Sequence, residues 1–127
     1  YVSGAPFQPA IARALADDEA PRALASSLAA RRDLLCEGLA EAGFGVTVPR
    51  GTYFVVADGA PLGFPDGTDL CRRLPGLAGV VGIPLAAFCR EGSASHEALR
   101  SSVRFTFVKR PEVLQQAVTR LARLASG

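Results

Sequence analysis

The chain has no methionine, no tryptophan, a single lysine (Lys109), a single histidine (His96) and only two tyrosines among its 127 residues. Its three cysteines, Cys36, Cys71 and Cys89, are odd in number and form no Cys-x-x-Cys pair. Neither a disulfide framework nor a zinc site is therefore indicated, and all three read as ordinary thiols. No acidic cluster has metal-ligand spacing. Gly76, Gly79 and Gly82 lack the strand-Gly-x-Gly-x-x-Gly-helix setting of a dinucleotide site. No apolar run approaches the roughly 20 residues of a membrane span, and no signal-peptide pattern opens the chain, so a cytoplasmic setting is expected. Fourteen basic against twelve acidic residues leave a net charge of +2. That excess is too small, and the arginines too scattered, to argue for nucleic acid or an anionic membrane as partner. Arg31-Arg32 and Arg72-Arg73 read as solvated helix faces.

What is present is a soluble globular composition, 49% apolar and 20% charged, long enough for one domain with its own core. Residues 1–10 read as an ordered loop, with Pro9 suited to a first helical turn. A helical stripe starts at Ile11, Ala12 and Leu15, is broken at Asp17-Asp18-Glu19 and Pro21, and resumes as Leu24, Leu28, Leu35 and Leu39 in a long helix ended by Gly43. Strands are expected at Phe44 to Val48 and Thr52 to Ala57, with Pro49-Arg50-Gly51 as the turn; Tyr53 and Phe54 alternate, one toward the core and one toward the far side of the sheet, with core packing the favoured role for both. Thr68 or Asp69 can cap a short helix reaching Leu74, and Val80 to Ile83 reads as a buried strand stopped by Pro84. Residues 89–101 read as a polar loop, Val103 to Val108 as a strand, and Pro111 as the start of a helix with Leu114, Val118, Leu121 and Ala125 on its apolar face. The expected architecture is α/β (α+β), one small sheet packed against helices with a long N-terminal helix.

One residue stands out chemically. Arg104 lies inside Ser102-Val103-Arg104-Phe105-Thr106, a strand otherwise poor in charge. An unpaired buried cation is costly, and a planar guanidinium matches a carboxylate through two parallel hydrogen bonds. Arg104 is thus half of an internal ion pair or the receptor of an anionic ligand. His96, with Ser93, Ser95 and Glu97 close by, does not suggest a catalytic triad, because such geometry is assembled by the fold from separate segments.

Three stretches in this order, Pro49-Arg50-Gly51-Thr52-Tyr53-Phe54, Ile83-Pro84-Leu85-Ala86-Ala87-Phe88 and the arginine strand followed by Lys109-Arg110-Pro111-Glu112, carry a resemblance over essentially the whole chain. It resembles the small C-terminal domain of class I/II, fold-type-I aminotransferases dependent on pyridoxal 5'-phosphate, nearest the kynurenine, methionine and N-succinyldiaminopimelate aminotransferase branch. The resemblance implies that residues 1–127 are the C-terminal domain of a longer polypeptide, with a large domain that binds pyridoxal 5'-phosphate preceding residue 1. The intact protein would be a homodimer moving an amino group between an amino acid and a 2-oxo acid. Arg104 would clamp the substrate α-carboxylate, Tyr1 would reach the neighbouring subunit's site, and Phe88 would stand where the family has Pro-Gly-x-x-Phe near the substrate. Leu85 replaces that glycine. Lys109 matches the Ser/Thr-x-x-Lys spacing around the family's cofactor lysine, but its place at a strand end beside Arg110 points to a surface charge. The chain alone would then be inactive. Two rivals remain open, a carbon–sulfur β-lyase of the same fold and a non-catalytic module binding amino or oxo acids.

Overall fold

Prolines and acidic residues punctuate the start of the chain. The computed structural model describes residues 4–126. A 3₁₀ turn at Ala5–Phe7 leads directly into α1 (Gln8–Leu15), so the expected loop ends earlier than residue 10. Pro9 sits in the first turn of α1, where its missing N–H costs nothing. The chain breaks after Leu15, and Asp17 Oδ1 accepts the Glu19 N–H at 2.9 Å as α2 (Glu19–Glu41) begins.

At 23 residues α2 is about 35 Å long, given 1.5 Å per residue. Only the C-terminal half of its leucine stripe is buried. Leu35 and Leu39 enter the core, whereas Leu24 is 60% exposed. Gly43 ends the helix at φ 95°, a conformation open to glycine. Its N–H reaches Ala40 O at 3.0 Å and the Phe44 N–H reaches Leu39 O at 3.1 Å, the paired bonds that satisfy a helix's last carbonyls.

Four strands, β1 (Gly45–Thr47), β2 (Phe54–Asp58), β3 (Ile83–Pro84) and β4 (Ser102–Thr106), form one antiparallel sheet in the order β1-β2-β4-β3. Each is shorter than its sequence pattern. β2 starts at Phe54 because Thr52 adopts φ 61°, which no extended strand contains. Val80 to Gly82 does not pair; Val81 is 75% exposed, and the ladder takes Ile83 and Pro84 instead. Proline is tolerated there because β3 is an edge strand, bonded only to β4.

Helix α3 (Gly67–Ala78) is capped two residues ahead of Thr68 and three ahead of Asp69. Asp66 Oδ1 accepts the Thr68 and Asp69 N–H groups at 2.8 and 3.2 Å. The helix runs through Pro75 to Gly79, beyond the expected end at Leu74. A further short helix, α4 (Ala94–Ala98), occupies what reads in sequence as polar loop, because Ser93 Oγ caps it by accepting the His96 N–H at 3.2 Å. The last long helix, α5 (Pro111–Leu121), buries Leu114, Val118 and Leu121 as expected. The Ala125 side chain lies outside the description.

Strand alternation sorts the sheet into two faces. Val55, Ala57, Val103 and Phe105 point to α2, α3 and α5 and join Leu35, Leu39, Leu70, Leu74 and Leu121 in one core. Phe54, Val56, Arg104 and Thr106 point the other way and stay half-exposed. The helical layer closes tightly at Gly38, where an added Cβ would lie 2.2 Å from Val118 Cγ1.

Gly38→Ala therefore improves helix propensity yet overpacks the α2–α5 seam. Urea unfolding should show a net loss of about 1–3 kcal/mol, and an unchanged or higher midpoint would mean the seam has slack. Asp66→Ala should cost about 1 kcal/mol through the lost cap. The Thr68 and Asp69 amide bonds hold the Asp66 carboxyl below its usual value, mainly through Asp69 and then Thr68. Its stabilisation is present above the unfolded pKa and is lost as pH falls through the lower folded value, so the variant and parent should converge in stability in strong acid.

Candidate functional site

The register of β2 on β4 sets Val56 opposite Arg104 and Phe54 opposite Thr106, so Phe54 and Arg104 are diagonal neighbours on one face. The Arg104 guanidinium carbon lies 4.1 Å from the centroid of the Phe54 ring and 4.5 Å from that of Phe88. Phe54 comes from β2 on one flank of β4, and Phe88 from the 3₁₀ turn Leu85–Phe88 that follows β3 on the other. The cation is thus held between two aromatic faces, whose negative quadrupoles attract it. Among the described residues no carboxylate pairs with Arg104. The internal ion pair weighed from sequence is absent there, and the hydrogen-bonding edge of the guanidinium is left for something else.

Phe88 meets Arg104 although Leu85 stands in the place of the family's glycine, because Leu85 simply opens the 3₁₀ turn that carries the ring. Tyr53 and Phe54 are not core residues. Tyr53 is 50% exposed, and its ring packs on Phe54 at a centroid distance of 4.6 Å. Phe54 is the site residue that sequence reading missed. The alternation signal was available: with Val55 and Ala57 facing the core, Phe54 must share the opposite face with Arg104. Tyr1 lies outside the described residues.

The other sequence candidates do not converge on this face. Lys109 is exposed and lines a cavity of about 240 Å³ with Phe105, Val113, Leu114 and Arg120, on the helix side of the sheet. The described residues accordingly supply no lysine beside Arg104, and they do not fit a covalently held pyridoxal 5'-phosphate. His96 is half-buried on α4, and its Nδ1 has no hydrogen-bond partner and lies 3.5 Å from Glu97 Oε1. Ser93 is committed to capping α4, its Oγ accepting the His96 N–H. Arg32 is no solvated charge: it pairs with Asp33 at 2.7 Å and donates to Pro49 O at 3.3 Å, tying α2 to the turn before β2. Among the described residues no His, Cys, Asp and Glu group could hold a metal ion, and no helix is long and apolar enough to cross a membrane.

Comparison with known proteins gives the family. Residues 1–121 match the family described as aminotransferase class I and II, and the chain belongs to that family. It is 51% identical over 130 aligned positions to the probable N-succinyldiaminopimelate aminotransferase of Mycobacterium tuberculosis strain H37Rv, covering 98% of this chain and 33% of that protein. It is 32% identical to the methionine aminotransferase of Escherichia coli K12, covering 94% of this chain and 30% of that one. The solved structure of N-succinyldiaminopimelate aminotransferase from Mycobacterium tuberculosis superposes with a TM-score of 0.85 at 49% identity, over 98% of this chain and 32% of that one. The fold is that of the corresponding part of fold-type-I aminotransferases. The chain spans about a third of the length of these curated relatives.

The cysteines take no part in the site. All three are free, and burial pushes the Cys71 thiol up to about 11 and raises that of Cys36. Against a reference near 9.0, two units mean about a hundredfold less thiolate. Iodoacetamide at pH 8 should therefore alkylate Cys71 about a hundredfold more slowly in the native protein than in urea, read by peptide mass spectrometry; equal rates would contradict the buried environment.

Proposed function

We propose that this chain is the substrate-clamping C-terminal domain of a pyridoxal-phosphate-dependent aminotransferase, and that Arg104 binds the α-carboxylate shared by the amino donor and the 2-oxo acceptor. The observation that carries this reading is the Arg104 guanidinium, held between Phe54 and Phe88 with no carboxylate partner among the described residues. A cation held in a partly apolar setting, with its edge donors unspent, suits a planar oxyanion that arrives with the substrate. The names of the relatives, N-succinyldiaminopimelate and methionine aminotransferases, support amino acids and 2-oxo acids as substrates.

In this reading the cofactor and its lysine belong to a large domain outside residues 1–127, and the intact protein is a homodimer. Bound in that domain, the cofactor would supply an electron sink for chemistry at the substrate Cα. The part played by this chain is binding and orientation. Two parallel bonds from Arg104 to the carboxylate fix one end of the substrate, which restricts rotation about Cα and turns the scissile C–H bond toward the catalytic base. Binding energy gained here can also draw the two domains together over the substrate.

The test uses the intact protein supplied with pyridoxal 5'-phosphate and a panel of amino acids with a 2-oxo acid acceptor. Amino transfer is expected, and release of ammonia and pyruvate from cysteine conjugates would instead favour the lyase. Arg104→Ala should lower kcat/KM for every donor and acceptor by roughly 30- to 4,000-fold, the equivalent of losing one partner of a desolvated charge pair. Near-normal kcat/KM in that variant would reject the assignment.

A further inference from the structure

A guanidinium reads a carboxylate through two parallel bonds only when the two planes coincide, and the long arginine side chain has many rotamers in which they do not. Something must set the plane beforehand. Arg104 has no ion pair among the described residues, so the two aromatic rings are left to do it. They are not equivalent. Phe88 rides on a four-residue 3₁₀ turn at the sheet edge and is 59% exposed. Phe54 belongs to β2, is paired with Thr106 of the central strand β4, and its ring lies closer to the guanidinium.

Phe54 is in turn held from behind. The Tyr53 ring packs on it, and the Tyr53 carbonyl accepts the Phe107 N–H at 3.1 Å and the Thr106 hydroxyl at 3.2 Å. Just before it, Thr52 is the one non-glycine residue among those described with positive φ, at 61°. A β-branched residue is strained there, and such strain persists only where the surroundings over-determine the backbone. The double anchoring of Tyr53 O supplies that constraint, and the resulting turn makes Phe54 the first residue of β2, opposite Thr106.

We propose that Phe54 is the positioning residue of the site, fixing the plane of the Arg104 guanidinium, and that the strained turn at Thr52 and the twice-bonded Tyr53 carbonyl fix Phe54. This rests on the reading of Arg104 as the carboxylate receptor. Phe54 acts through Arg104 and touches neither substrate nor cofactor in this assignment. Because donor and acceptor present the same carboxylate, loss of the aromatic face must weaken both equally.

The test compares Phe54→Leu, Phe54→Tyr, Arg104→Ala and the Phe54→Leu/Arg104→Ala double variant in the intact, cofactor-loaded protein, each checked for folding by circular dichroism. The donor is the best of a twenty-amino-acid panel. Phe54→Leu keeps apolar bulk and removes the π face, so KM for donor and acceptor should rise together, by about 3- to 30-fold for a cation–π contact. Phe54→Tyr should restore KM to within about twofold of the parent. In the Arg104→Ala background, Phe54→Leu should have no further effect, since the two residues act as one unit. Unchanged KM in Phe54→Leu, equal losses in Leu and Tyr variants, or additive losses in the double variant would each overturn the positioning role while leaving the Arg104 reading intact. An Arg104→Ala protein with parental kcat/KM would overturn both. Should Phe54→Leu fail to fold, Phe54→Met makes the same comparison.

Discussion

The antiparallel register between β2 and β4 is the constraint on which the rest of the structure depends. It stacks Val55 on Phe105 and Ala57 on Val103 on the core face, and by the same alternation it sets Phe54 beside Arg104 on the other. A slip of one residue would exchange the faces, placing the guanidinium in the core and the large apolar side chains in solvent. Burial of the core face and assembly of the site are therefore one choice, enforced by the cost of desolvating an unpaired cation.

The helical layer keeps that register in place. Phe44 and Phe105 meet edge to face at 5.8 Å, joining the exit of α2 to the arginine strand. Gly38 brings α2 against Val118 of α5, and Gly82 lets the chain pass flush over Val103, where a Cβ would lie 2.4 Å from Cγ1. Close packing of this kind lets a sheet with short strands stay rigid, because displacement of any layer opens a gap or forces a clash. By contrast, the first 3₁₀ turn, α1 and the first half of α2 leave Phe7, Ile11, Leu15 and Leu24 exposed. Buried packing is concentrated around the sheet, where Arg104 lies.

The site itself joins two physical effects that oppose one another in most settings. Aromatic faces lower the local polarity around Arg104, which disfavours its charge, yet they also attract it electrostatically and leave its edge free. The result is a cation stabilised enough to persist without an internal partner and still able to gain from a carboxylate. That balance would be lost with an internal carboxylate beside it, since a satisfied ion pair has little left to offer a ligand.

Much of this was legible in the residues. The leucine spacing of α2, Gly43 as its stop, Pro111 as the start of α5 and the arginine in an apolar strand all follow from periodicity and local backbone preference, which act over a few residues. Other features were not. The cap of α3 is Asp66 because its carboxylate reaches two amides at once, α4 forms where Ser93 satisfies an orphan N–H, and β3 is an edge pair that accepts Pro84. The edge pairing depends on where a distant strand lies, whereas the two caps are bonds across two or three residues, whose choice among adjacent Asp, Thr and Ser side chains the local backbone path decides. Residue spacing and local preference mark most of the elements, the core stripe of the last helix and Arg104 as the residue of interest. That Phe54 and Phe88, 34 positions apart, flank that arginine, and that no carboxylate among the described residues does, follows from strand register and the path after β3, which are settled by packing the whole sheet against its helices.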